Sequence, residues 1–322
     1  MSLALFFNYI YERFFWEDDL HKYDAHVLLE LMEREDTADI LYLGESSNFS
    51  IHPKDTQRLS ISQLIDIQVD DRVATLNKGA YHVGIYTDLI KRIKSKSIHT
   101  LIVTLNMRTF NQATIHAPIE TALQKQARLF KNQPPLLNRI LLTLNAYDDA
   151  SLAERDKDMW HDWTYDTLIS DVVEFPAPTI KTWCAQPKFV DSLGVENMEM
   201  RTLADHYIKA YAFKIGEDNP RLLQLDELAQ HCHENGYRLV LNLLAENVEY
   251  ADSLCGPALS WQMKANRNML VNRYRGGDLI VVDNLEAVAG RHYTDQHWTT
   301  EHYDEVGRQI IADNVAKALL VK

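Results

Sequence analysis

Asp39-Ile40-Leu41-Tyr42-Leu43-Gly44-Glu45-Ser46-Ser47-Asn48 is a short apolar run that stops at a glycine and passes straight into helix-capping residues. A run that is apolar at successive positions, not at alternate ones, reads as a strand buried on both faces. Four more runs have this character: Arg72-Val73-Ala74-Thr75-Leu76, Thr100-Leu101-Ile102-Val103-Thr104-Leu105, Tyr237 to Leu244, and Asp278-Leu279-Ile280-Val281-Val282. Helical patterns lie between them. Ile85, Leu89, Ile90 and Ile93 recur at helical spacing. Leu222, Leu225, Ala229 and Cys232 form one face of a helix that starts at Pro220 and stops at Asn235-Gly236. In the last segment Thr299 offers a cap, and Tyr303, Val306, Ile310, Val315 and Leu319 make an apolar stripe.

Strands alternating with helices predict an α/β fold, a three-layer flavodoxin-like sandwich around a mainly parallel five-stranded sheet. About 130 residues separate the third run from the fourth, far more than one crossover helix needs. Residues 107–219 therefore read as a large helical insertion in a single domain spanning 1–322, and residues 1–37 as an N-terminal helical segment. The insertion carries Trp160, Trp163 and Trp183, as cap packing or as platforms for sugar rings. Its departure directly after Asn106 predicts that it borders the carboxyl edge of the sheet.

The chain has 322 residues, 46% of them hydrophobic and 25% charged, an ordinary globular balance. Lys plus Arg number 33 against 46 Asp plus Glu, for a net charge of −13. With no basic cluster to offset that charge, nucleic acid is excluded as an expected partner. Cys184, Cys232 and Cys255 form neither a disulfide framework nor a CxxC pair. No apolar run is long enough to span a bilayer. Phe6, Phe7, Tyr9, Tyr11, Phe14, Phe15 and Trp16 crowd the start of the chain, where residues 4–16 read as an aromatic-faced helix, docked or close to a membrane interface.

Ligands of open α/β sheets bind at the carboxyl ends of the strands. Ser46 falls there, at the start of a helix, with Gly44 permitting a tight turn before it. Ser and Asn are also ordinary helix caps. A serine nucleophile needs a base, and the base needs a group to orient it. Asp295-Gln296-His297-Trp298 supplies both types, and in an extended stretch Asp295 and His297 point the same way. An oxyanion needs convergent donors. Ser46 N–H, Gly79 N–H after the second strand and the Asn106 amide after the third are the candidates, with Gly84 a less favourable position than Gly79.

Ser, Gly, Asn and Asp/His at successive strand ends resemble the SGNH (GDSL-type) hydrolases. Gly44-Glu45-Ser46 is similar to their Gly-Asp-Ser block, with Glu for Asp. The family's Gly-x-Asn-Asp block is absent and Leu105-Asn106-Met107-Arg108 stands in its place, with Asn106 and Arg108 the oxyanion or substrate candidates there. The Asp-x-His spacing, with Trp following, resembles the branch of extracytoplasmic polysaccharide O-acetyltransferases and esterases. His302-Tyr303 falls where many members have Gly-Tyr opening the last helix.

The resemblance implies a serine esterase or O-acyltransferase acting on acyl esters, with a carbohydrate polymer as substrate. Ser46 would be the nucleophile, His297 the base and Asp295 its orienting partner, with no cofactor or metal. The resemblance alone points to a periplasmic or membrane-associated location. The alternative is a non-catalytic binding or assembly protein that retains the fold. His231-Cys232-His233 reads as helix core and surface, not as metal ligands, because Cys232 lies on the apolar face. Asn48-Phe49-Ser50 has the form of a glycosylation triplet, but a glycan there would block Ser46.

Overall fold

The computed structural model describes residues 3–148, 150–166, 174–276 and 279–320. Asp278, read as the head of the fifth strand, lies outside them, as do Met1, Ser2, Asp149 and residues 167–173. The strands are β1 (Ile40–Gly44), β2 (Val73–Asn77), β3 (Thr100–Leu105), β4 (Arg238–Leu243) and β5 (Leu279–Asp283). They form one sheet in the order β2-β1-β3-β4-β5, and each neighbouring pair is parallel.

The apolar runs serve both faces. Leu41, Leu43, Leu101, Val103, Leu239 and Leu241 pack into one core, while Ile40, Tyr42, Ile102, Val240 and Val282 pack into the other. Helices cover both cores, so the chain adopts the expected three-layer α/β sandwich. β1 and β3 are buried along their whole length, whereas β2 and β5, at the edges, are half-buried over most of theirs. The strand order reverses between β1 and β3, and a crevice opens beyond the carboxyl ends at such a switch point.

Two details of local structure differ from the sequence reading. Gly44 does not take a positive φ. It is needed because an added Cβ would meet Asn77 Oδ1 at 2.5 Å and Tyr42 Cε1 at 2.7 Å. The last helix starts at Glu305, with Asp304 Oδ1 accepting the N–H groups of Val306 and Gly307, and not at a Thr299 cap. An antiparallel bridge between Tyr293 and Tyr303 closes the preceding residues into a loop, which leaves Thr299 buried inside it. The Pro220–Asn235 helix has the expected ends, an Asn219 cap and Gly236 at φ +73°. Glycine takes that left-handed conformation without the Cβ clash that penalises other residues.

Residues 107–219 contain the helices Ile119–Phe130, Pro135–Thr143, Leu152–Tyr165 and Met198–Tyr211, with shorter turns between them. Glu120 ties the first of these to its neighbours, since it accepts from Arg221 at 2.7 Å and faces His82 Nε2 at 3.1 Å. The Met198–Tyr211 helix ends at the carboxyl edge, where Tyr211 donates to Glu246, just past β4. At the other side of that edge Arg308, fully buried on the last helix, joins the chain after Ser46 to the chain after β5. It donates to Asp55 Oδ2 at 2.8 Å and to the carbonyls of Ser50, Gln57, Leu59 and Tyr303.

Candidate active site

β1 delivers Ser46 to the mouth of the crevice. Glu45 caps the short helix Ser46–Phe49, its Oε1 accepting the Ser47 N–H at 3.0 Å, so Ser46 is the first helical residue and not the cap. Its hydroxyl stays half-exposed, whereas Ser47 is buried with no partner for its Oγ. Asn48 is also buried. It donates to Ser62 Oγ at 3.0 Å and to Asn77 Oδ1 at 2.8 Å, so the glycosylation triplet is closed to a glycan.

Ser46 Oγ lies 3.0 Å from Nε2 of His302, and Nδ1 of the same ring lies 2.7 Å from Asp295 Oδ2. With Asp295 accepting a hydrogen bond from Nδ1–H, the Nε2 lone pair faces the serine hydroxyl. Thr300 Oγ1 donates to the same carboxylate oxygen. The ring brought to Ser46 and Asp295 is therefore not that of His297. The His297 side chain is 81% exposed and pairs with Glu199 on the insertion. The Asp295-x-His297 spacing does not form the contact expected of it. The loop reverses between Tyr293 and Tyr303, and Thr294 N–H donates to the His302 carbonyl, so Asp295 faces the residue seven places on.

His302 stands between two buried anchors. Tyr303 OH donates to the Ala245 carbonyl at 2.7 Å. Glu301 takes both arms of the Arg108 guanidinium at 2.6 Å and the Asn106 amide at 2.7 Å. Burial raises Glu301, but Arg108 outweighs it and holds the carboxyl below its usual range. Glu246 goes the other way. Burial first, and then the Glu301 charge, push it well above the ordinary carboxyl value. The Arg108 charge thus favours the carboxylate at Glu301, while burial beside that carboxylate favours the neutral form at Glu246.

The strand-end residues are thus placed as follows. Asn106 caps the turn after β3, its Oδ1 accepting the Arg108 N–H at 3.0 Å, and its Nδ2 is engaged by Glu301. Arg108 grips Glu301 instead of standing alone as a cation. Gly79 lies in the exposed turn past β2. Cys232 is buried in its helix, and among the described residues no three His, Cys, Asp or Glu side chains converge as metal ligands. The sequence reading placed His297 against Ser46 and Asp295, where the structure has His302. The available signal was the flanking pair Glu301 and Tyr303, which needs only one buried face for the residues on either side of the histidine.

No protein-family model matches the chain, and no curated protein does. Among solved structures, the crystal structure of the lipase Lip_vut3 from a goat rumen metagenome aligns over 88% of this chain and 97% of its own, at 10% identity and a TM-score of 0.34. A likeness that low carries no weight for the site.

Proposed function

We propose that the protein is a serine-dependent ester hydrolase or acyltransferase working through an acyl-enzyme on Ser46. The observation that carries this reading is the unbroken chain Asp295–His302–Ser46, at 2.7 and 3.0 Å, at the switch point of a parallel sheet. His302 Nε2 takes the hydroxyl proton as Oγ bonds to the acyl carbon, then returns it to the leaving oxygen. Asp295 holds the tautomer and stabilises the imidazolium. Water or a sugar hydroxyl then attacks the acyl-serine by the same route in reverse.

The order of Ser46 after β1 and Asp295 and His302 after β5 supports the SGNH reading, with the acid and base seven residues apart. Ser46 N–H and Gly79 N–H are the oxyanion donors in this reading. Asn106 and Arg108 shape the wall of the site through Glu301. An acylated carbohydrate is the substrate class favoured by Trp298, which is exposed on the loop that carries the base, its ring 3.9 Å from that of His206. The insertion then borders the acceptor groove. Treatment with a fluorophosphonate probe tests the reading: wild type labels and Ser46→Ala does not. A protein that takes no label and hydrolyses no p-nitrophenyl acetate is the non-catalytic scaffold instead.

A further inference from the structure

Ser46 Oγ has two claimants. Besides His302 Nε2 at 3.0 Å, Glu45 Oε2 lies 2.9 Å away. The hydroxyl has one hydrogen, so it can donate to only one of them. If it donates to His302, the contact with Glu45 is a hydrogen bond only when Glu45 brings a proton of its own. If it donates to an ionised Glu45, the contact with Nε2 is a hydrogen bond only when the imidazole is charged. The two arrangements contain the same number of protons. In the first His302 can accept the serine proton, and in the second it cannot.

We propose that Glu45 acts on the nucleophile as a neutral acid: its Oε2–H donates to Ser46 Oγ and turns the hydroxyl proton towards His302, whereas its carboxylate turns that proton away. The inference rests on the triad reading above. The surroundings suit a neutral acid. Glu45 is 5% exposed, beside the half-exposed serine. Burial first, and then the charge of Glu301, raise its carboxyl above the ordinary value, against the opposing pull of the Ser47 and Ser46 bonds. The other ionisable groups that face it are Tyr42 on β1, Tyr86 on the helix Val83–Ile90, and His302 and Tyr303 on the loop before the last helix. Glu301 is itself paired with Arg108. The cap also fixes which oxygen is which, because Oε1 is committed to the Ser47 N–H and Oε2 is left for the serine.

The reacting state is thus one proton count. One proton more charges the imidazole, and one fewer ionises Glu45. Acylation should therefore give a bell-shaped pH profile whose alkaline limb belongs to Glu45. In the step itself the Oγ–C bond forms as the carbonyl π bond breaks. The serine proton passes to His302 Nε2, and Glu45 keeps its own.

The experiment is the pH dependence of kcat/KM for p-nitrophenyl acetate, with the Ser46→Ala rate subtracted, for wild type, Glu45→Gln and Glu45→Ala. Gln keeps an oxygen for the cap and puts a permanent N–H donor on Oγ. Glu45→Gln should stay within about tenfold of wild type at the optimum and lose the alkaline limb, its activity rising with pH to a plateau. Glu45→Ala should fall about 100-fold, with the serine no longer oriented. Unfolding midpoints confirm that Glu45→Gln is folded. An alkaline limb that persists unchanged in Glu45→Gln overturns the proposal, as does a folded Glu45→Gln at the Ser46→Ala floor. In both cases the labelled, active wild type leaves the triad reading standing. A wild type that neither labels nor turns over removes the triad and this inference with it.

Discussion

His302 Nε2 stands 3.0 Å from Ser46 Oγ across 256 residues of chain. The contact joins the first strand end of the sheet to the loop beyond its last strand. The two sides are held together by Arg308, which binds both the chain after Ser46 and the chain before the last helix.

The first prediction separates the two histidines. Ser46→Ala and His302→Ala should fall to one common floor, about 10⁴-fold or more below wild type, and the double variant should fall no further. Asp295→Asn should lie above that floor, because it can still hold the ring but in the wrong tautomer. His297→Ala should stay within about twofold of wild type, as expected for an exposed side chain. Turnover of p-nitrophenyl acetate measures all five, and loss of activity in His297→Ala with retention in His302→Ala would reverse the assignment.

Arg108 is the counterion of a buried pair of carboxyl groups. Arg108→Met strands Glu301 and should cost about 3–5 kcal/mol of stability in urea unfolding, with loss of turnover as the His302 loop loosens. Arg108→Lys should recover only part of this, since one ammonium cannot make both arms of the bond. Full stability in Arg108→Met would show that the knot is not a structural anchor.

Asp55 makes an acid-labile tie. Burial raises its carboxyl, but Arg308 and the His52 N–H outweigh burial and leave it below the ordinary value. Unfolded, it titrates near about pH 4. Its contribution is therefore complete above that pH and disappears as pH falls through the lower folded value. Asp55→Asn should be less stable at neutral pH and should show a shallower loss of stability below about pH 4. Identical acid limbs in the two proteins would rule out this linkage.

The helix Leu3–Phe14 leaves Phe6, Phe7 and Phe14 exposed, and Phe15 follows. Replacing all four by Gln should leave the unfolding midpoint unchanged and lower co-sedimentation with phosphatidylcholine vesicles, because aromatic rings gain by entering the interface. Among the described residues no helix is long and apolar enough to cross a membrane. Equal sedimentation of the two proteins would remove the membrane role of this helix.

Much of the fold was local information. β1, β3 and β4 are recognisable because burial on both faces demands apolar residues at successive positions, and Pro220 and Gly236 bound their helix through their own backbone restrictions. Ser46 at a strand end was legible for the same reason. The register of the loop after β5 was not. Whether Asp295 faces a histidine two residues on or seven depends on a chain reversal, and that reversal is closed by Tyr293 against Tyr303 and by Glu301 seated on Arg108 and Asn106. The role of Gly44 was likewise set by Asn77 on a neighbouring strand, not by its own turn. The chain alone determined strands, helix ends and a serine at the crevice, since these follow from near-neighbour sterics and apolar pattern. Tertiary structure decided which imidazole meets that serine, because Arg108, Asn106 and Ser46 lie far from the loop in sequence and meet it only when the sheet is assembled.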